Sequence, residues 1–132
     1  MDLQTFFSLV IIGLLAGTLS GFIGIGGGVI MVPALIFALG VSQHEAQGIS
    51  ITTMLLPIGI LAFYNYYQSG QVTNQFVGFS FIVAIAFVVG GYFGSRLSLK
   101  INPQIVKLIF GFLMLFIGFK MIAGGWDYFK KG

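Results

Sequence analysis

Apolar residues fill this chain in long runs, and its polar side chains gather at the joints between them. Five apolar segments can be drawn, over residues 3–23, 29–39, 44–69, 76–97 and 104–124. Four of them reach the ~20 residues that a membrane-spanning helix needs. The second does not: residues 29–39 would make a helix of ~17 Å at about 1.5 Å per residue, against a hydrocarbon core of ~30 Å. Either the chain breaks inside the bilayer and residues 29–39 form a half-helix returning to the side they left, or part of residues 20–28 stays helical and completes a thin span. The half-helix is preferred. The pattern therefore predicts an all-α integral membrane protein, with about four transmembrane helices plus a short half-helix after a glycine-rich break, in a single domain over residues 1–132.

The preference rests on the joint between the first two segments, which reads Gly21-Phe-Ile-Gly-Ile-Gly-Gly-Gly-Val-Ile-Met-Val-Pro33. Glycine inside a helix costs about 1 kcal/mol relative to alanine, so Gly24, Gly26, Gly27 and Gly28 mark a break. In lipid an unwound backbone survives only where protein or a watery cavity covers it. The helix that begins at Val29 then offers unpaired N–H groups and about half a positive charge from its dipole. A compact anion suits that end. Pro33 falls near the first turn, where its missing N–H matters little, and Gly40 is placed to stop the helix. Gly13, Gly17 and Gly21 recur every four residues, a smooth stripe suited to close helix packing.

Ser42 and Glu45 have capping-box spacing, which predicts a helix starting near His44 and running ~39 Å to about Ser69, kinked by Pro57. Ser50, Thr53 and Pro57 share one face of it, so two hydroxyls could complete an anion's coordination, or each could bond its own helix backbone. His44 and Glu45 are read as helix-start residues. Tyr64, Tyr66, Tyr67, Asn65 and Gln68 read as interfacial, and Gly70 to Gln75 as a turn. Arg96, Lys100, Asn102 and Pro103 mark the next joint. Gly124 and Gly125 should end the last span ahead of an interfacial Trp126, Tyr128 and Lys130.

Composition agrees and narrows the chemistry. Of 132 residues, 58% are hydrophobic and only 7% charged, far from the quarter usual in soluble domains. The N-terminus lacks the basic region and cleavage site of a secretory signal, so the first segment should stay attached as a helix. The six basic residues form no patch able to follow a phosphate backbone, so nucleic acid is not an expected partner. Cysteine is absent and the single histidine cannot gather a metal site, so no metal or other cofactor is expected. No nucleophile–base pair, phosphate-binding lysine motif or dinucleotide fingerprint is present, which removes the enzymatic and ATP-driven readings. No acidic residue lies mid-span, which argues against a small exporter of organic cations.

The joints near Gly40 and Lys100 belong on one side of the membrane, and the joint near Gly70 and the C-terminus on the other. Arg96, Lys100 and Lys107 then face Lys120, Lys130 and Lys131. A chain with no excess of positive charge on either face is weakly oriented, which suggests insertion in both senses and an inverted pair of copies. A differently oriented paralogue could serve instead.

The motif Gly21-x-x-Gly24-x-Gly26-Gly27-Gly28-x-x-x-Val32-Pro33-x-Leu35, then Gly40, Ala46-x-Gly48-x-Ser50 and Tyr64 to Gly70 ahead of Val72, resembles one repeat of the sulfite exporter TauE/SafE family of membrane permeases. The later Gly90-x-x-x-Gly94-Ser95-Arg96 and the run from Leu108 to Leu113 fit more loosely. Members commonly carry two such repeats, whereas this sequence has one, and Ile49 stands where the repeat often has Thr. The resemblance implies transport of sulfite, organosulfonates or related sulfur-containing or carboxylate anions across a bacterial inner membrane, by two units facing each other. The candidate substrate-binding residues are Gly24, Gly26, Gly27, Gly28, Val29, Ser50 and Thr53, with Pro33 and Pro57 shaping the helices. An anion channel on the same scaffold, and a non-transporting subunit that pairs with another half-repeat, are the alternatives.

Overall fold

The computed structural model describes every residue except Gly24 and Ile25. Among the described residues six helices follow in order: α1 (Leu3–Ile23), α2 (Gly28–Leu39), α3 (Gln43–Met54), α4 (Ile60–Gln68), α5 (Asn74–Lys100) and α6 (Pro103–Lys131). No strand occurs among the described residues. The protein is an all-α membrane protein, and α1, α5 and α6 are long and apolar enough to cross a bilayer by themselves.

The short helices start and stop for local reasons. Gly27 at the N-cap of α2 has φ 79° and Gly40 at its C-cap φ 68°, both in the left-handed region that side chains with a Cβ disfavour. The Gly40 N–H donates back to the Ile36 carbonyl at 3.0 Å, closing the helix end. Pro33 lies in the second turn of α2, which continues through it to Leu39. Two residues after Gly40, Ser42 caps α3: its hydroxyl accepts from the Glu45 N–H (3.2 Å), and the Glu45 carboxylate accepts from the Ser42 N–H (2.7 Å).

The stretch from residue 44 to residue 69 is not one kinked helix. It is α3, a non-helical passage over residues 55–59, and α4. Pro57 lacks an N–H and crowds the carbonyl four residues earlier, Leu56 is pushed from helical angles by the proline after it, and Gly59 adds freedom at the restart. The last helix differs in the opposite sense, because α6 runs through Gly124 and Gly125 to Lys131. Glycine breaks a helix only where the freed backbone finds other partners, and in a lipid-exposed span none is offered.

The core is small and lies at one end of the sequence. Ile12 and Ala16 of α1, Met31, Val32 and Leu35 of α2, and Ala46 of α3 are buried together, with Leu9, Ile30, Ile36 and Phe110 packed at its edge. The face of α1 that meets α2 therefore carries Ile12 and Ala16. A Cβ built on Gly13 or Gly17 would touch nothing within 4 Å, so these two glycines of the stripe pack against no other described part of this chain. By contrast, α4, α5 and α6 have no buried residue.

One polar connection fixes the relation of these parts. His44 Nε2 donates to the Ile101 carbonyl at 3.1 Å, while His44 Nδ1 lies 3.2 Å from the Gln47 side-chain amide. Ser98 Oγ donates to Gln47 Oε1 at 3.5 Å. The start of α3 and the α5–α6 turn thus lie at the same end of the molecule, as the order of crossings required.

Candidate functional site

The site begins with the backbone at the start of α2. Gly26 (φ 76°) and Gly27 (φ 79°) are consecutive left-handed residues, a sharp reversal that only glycine makes without strain. Gly27 has no side chain with which to cap the helix it opens. Its carbonyl accepts from the N–H groups of Ile30 (3.1 Å) and Met31 (2.8 Å), which leaves Gly28 and Val29 as the amides without an acceptor in their own helix. Gly26 is exposed and Gly27 buried, so the reversal passes from the surface into the protein.

The first turn of α2 meets α3 closely. A Cβ on Gly28 would sit 3.3 Å from Ser50 Oγ and 3.1 Å from Met54 Cε, so this position tolerates no larger residue without a shift. Ser50 is only 3% exposed, and its hydroxyl makes no hydrogen bond among the described residues. A buried hydroxyl beside uncapped helix amides forms a short row of donors, the arrangement that holds an oxyanion.

The other predicted site residues fall differently. Thr53 Oγ1 donates to the Ile49 carbonyl at 2.9 Å and lines an open groove on the other face of α3, with Val41, Glu45, Gly48, Ile49, Thr52 and Leu56. Thr52 and Thr18 likewise bond carbonyls four residues back, at 2.8 and 2.7 Å. The structure therefore brings together Gly27, Gly28, Val29 and Ser50, and leaves Thr53 and Pro57 further along. Gly24 lies outside the described residues. His44 lies in the first turn of α3, as expected, and also ties that helix to the α5–α6 turn.

Sequence reasoning passed over Gln43. It is 4% exposed, on the buried face that also carries Ala46 and Ser50, and neither Oε1 nor Nε2 has a hydrogen-bond partner among the described residues. A signal existed: Gln43, Ala46 and Ser50 are spaced three and four residues apart, which puts a glutamine amide in line with the serine.

Comparison with known proteins fits this architecture. Residues 2–121 match the sulfite exporter TauE/SafE family. The chain belongs to that family. A probable membrane transporter protein of Xylella fastidiosa is 30% identical over 121 residues, covering 87% of this chain and 43% of the relative. The probable membrane transporter protein YunE of Bacillus subtilis is 30% identical over 132 residues, covering 90% and 45% respectively. A third, from Methanocaldococcus jannaschii, is 23% identical over 122 residues, covering 86% and 44%. The chain spans less than half the length of these curated relatives. No solved structure matches it. In this TauE/SafE-family chain the glycine-rich start of α2 packs against the face of α3 that carries Ser50.

Proposed function

We propose that the chain is one unit of a permease for small anions, such as sulfite, organosulfonates or related carboxylates, in a bacterial cell membrane. The substrate rests against the Gly28 and Val29 amides with Ser50 Oγ beside them. The observation carrying this reading is the uncapped start of α2 turned into the protein by Gly26 and Gly27, since a half-buried helix N-terminus without a cap favours negative charge.

A second unit completes the path. It is a second copy inserted in the opposite sense. Three observations support it: the length of the relatives, the unburied α5 and α6, and the even division of basic residues between the two ends. Alternating access is then a rocking of one unit against the other.

Purified chain in liposomes is expected to carry sulfite saturably and to show trans-stimulation. Gly27→Val, which places a β-branched residue at φ 79°, is expected to abolish that flux. Absence of flux from the wild-type chain, or undiminished flux in the variant, would falsify the reading. Tags on both termini, each accessible from both sides of intact cells, are expected for the inverted pair of copies.

A further inference from the structure

The buried amide of Gln43 has no part in the site just described, yet its situation is the least explained in the molecule. Both of its polar atoms are sealed from solvent and neither has a hydrogen-bond partner among the described residues. Buried polar groups are nearly always paired, and an unpaired one in a folded protein points to a guest or to water. Gln43 shares its face of α3 with Ala46, which is fully buried against α1 and α2, and with Ser50. Seven residues separate Gln43 from Ser50, or about 10 Å along the helix. The two unpaired polar side chains thus stand in line on the surface of α3 that faces α2, one at the α2–α3 turn and one at the start of α2.

The chemistry of the amide selects its guest. A glutamine side chain offers two N–H donors and a carbonyl acceptor, so both ends are satisfied only by a molecule that also donates and accepts. A fully ionised oxyanion can only accept, which would leave Oε1 bare. An oxyanion that keeps one proton, such as hydrogensulfite, presents O–H to Oε1 and oxygen to Nε2–H in one planar pair of hydrogen bonds. Resting on the anion-permease reading above, we infer that Gln43 is a selectivity station for the monoprotonated form of the transported oxyanion, ahead of the Gly28–Ser50 site. The proton travels with its anion, and no residue of the protein gains or loses one.

The test compares sulfite, which exists in both protonation states near neutrality, with methanesulfonate, which has no proton to give at any such pH. In liposomes the wild-type chain is expected to carry sulfite more slowly as the medium is made alkaline, following the hydrogensulfite fraction, while methanesulfonate flux holds level. Gln43→Met keeps the length of the side chain and removes both polar atoms; it is expected to lower the ratio of sulfite to methanesulfonate flux by about tenfold and to flatten the pH profile. A ratio unchanged in Gln43→Met means that the amide holds water or is structural, and overturns the inference. Sulfite flux insensitive to pH in the wild-type chain overturns it as well, whether or not the variant folds. Wild-type chain that carries neither anion brings down the permease reading itself, a different result from either of these.

Discussion

The first fifty residues and the last sixty are built on opposite plans. Helices α1, α2 and α3 are interrupted by glycines, and two of them are short; they bury Ile12, Ala16, Leu35 and Ala46 among themselves. Helices α5 and α6 are 27 and 29 residues long and bury nothing. In water such surfaces would collapse, but in a bilayer an apolar helix needs no protein cover, so length without burial describes a span facing lipid or a partner. The difference teaches where the chain is self-sufficient. Its first part packs against itself because a broken backbone must be covered, whereas its last part is regular and can wait for whatever lies beside it.

Burial gives the largest test of that contrast. Leu35 is 1% exposed, so Leu35→Ala is expected to destabilise the protein in detergent by about 2–5 kcal/mol. Phe87 on α5 is 74% exposed, and Phe87→Ala should change monomer unfolding by less than about 0.5 kcal/mol. Chemical denaturation of both variants checks the pair, and equal losses would mean that α5 is packed as firmly as α2. Next comes Gly28→Leu, whose Cβ starts 3.1 Å from Met54 Cε. Overpacking there should cost about 1–3 kcal/mol, and adding Met54→Ala should recover part of it.

A smaller effect probes the link between the two regions. His44→Ala removes the bond to the Ile101 carbonyl, worth about 0.5–1.5 kcal/mol, and should speed amide hydrogen exchange at the α5–α6 turn while leaving α2 protected. Uniform exchange changes along the chain would show that the two regions are coupled elsewhere. Smallest is Gly124→Ala with Gly125→Ala, each expected to strengthen α6 by up to about 1 kcal/mol, because the helix already passes through both. A rise in helical circular dichroism checks this, and a loss of helix would restore the break that the glycine pair suggested.

Much of the fold was legible because it is local. Apolar run length placed α1, α5 and α6, three of the four spans it predicted, while the glycine cluster placed the start of α2, Gly40 its end, and Ser42 with Glu45 the start of α3, the last three through chemistry within one turn of the residue concerned. The same reasoning misjudged strength. Pro57, with Gly59 after it, ended a helix that was expected to bend, while Gly124 and Gly125 did not end one. Whether a weak point opens depends on what the freed backbone can bond to, and that is supplied by neighbours rather than by the residue itself.

The candidate site divides in the same way. Sequence alone determined that the chain is a membrane protein of helices, that its first helix breaks within the cluster Gly24 to Gly28, and that a new helix begins just beyond with unpaired amides. Only the tertiary structure decided that Ser50 rather than Thr53 stands against that helix, that the Gly13 and Gly17 stripe is not the packing face of α1, and that His44 reaches a carbonyl 57 residues away. It also decided that Gln43 is sealed in without a partner among the described residues. The physical reason is common to all four. A sequence fixes which face of a helix a side chain occupies, but the neighbour that face meets is set by how the whole chain packs.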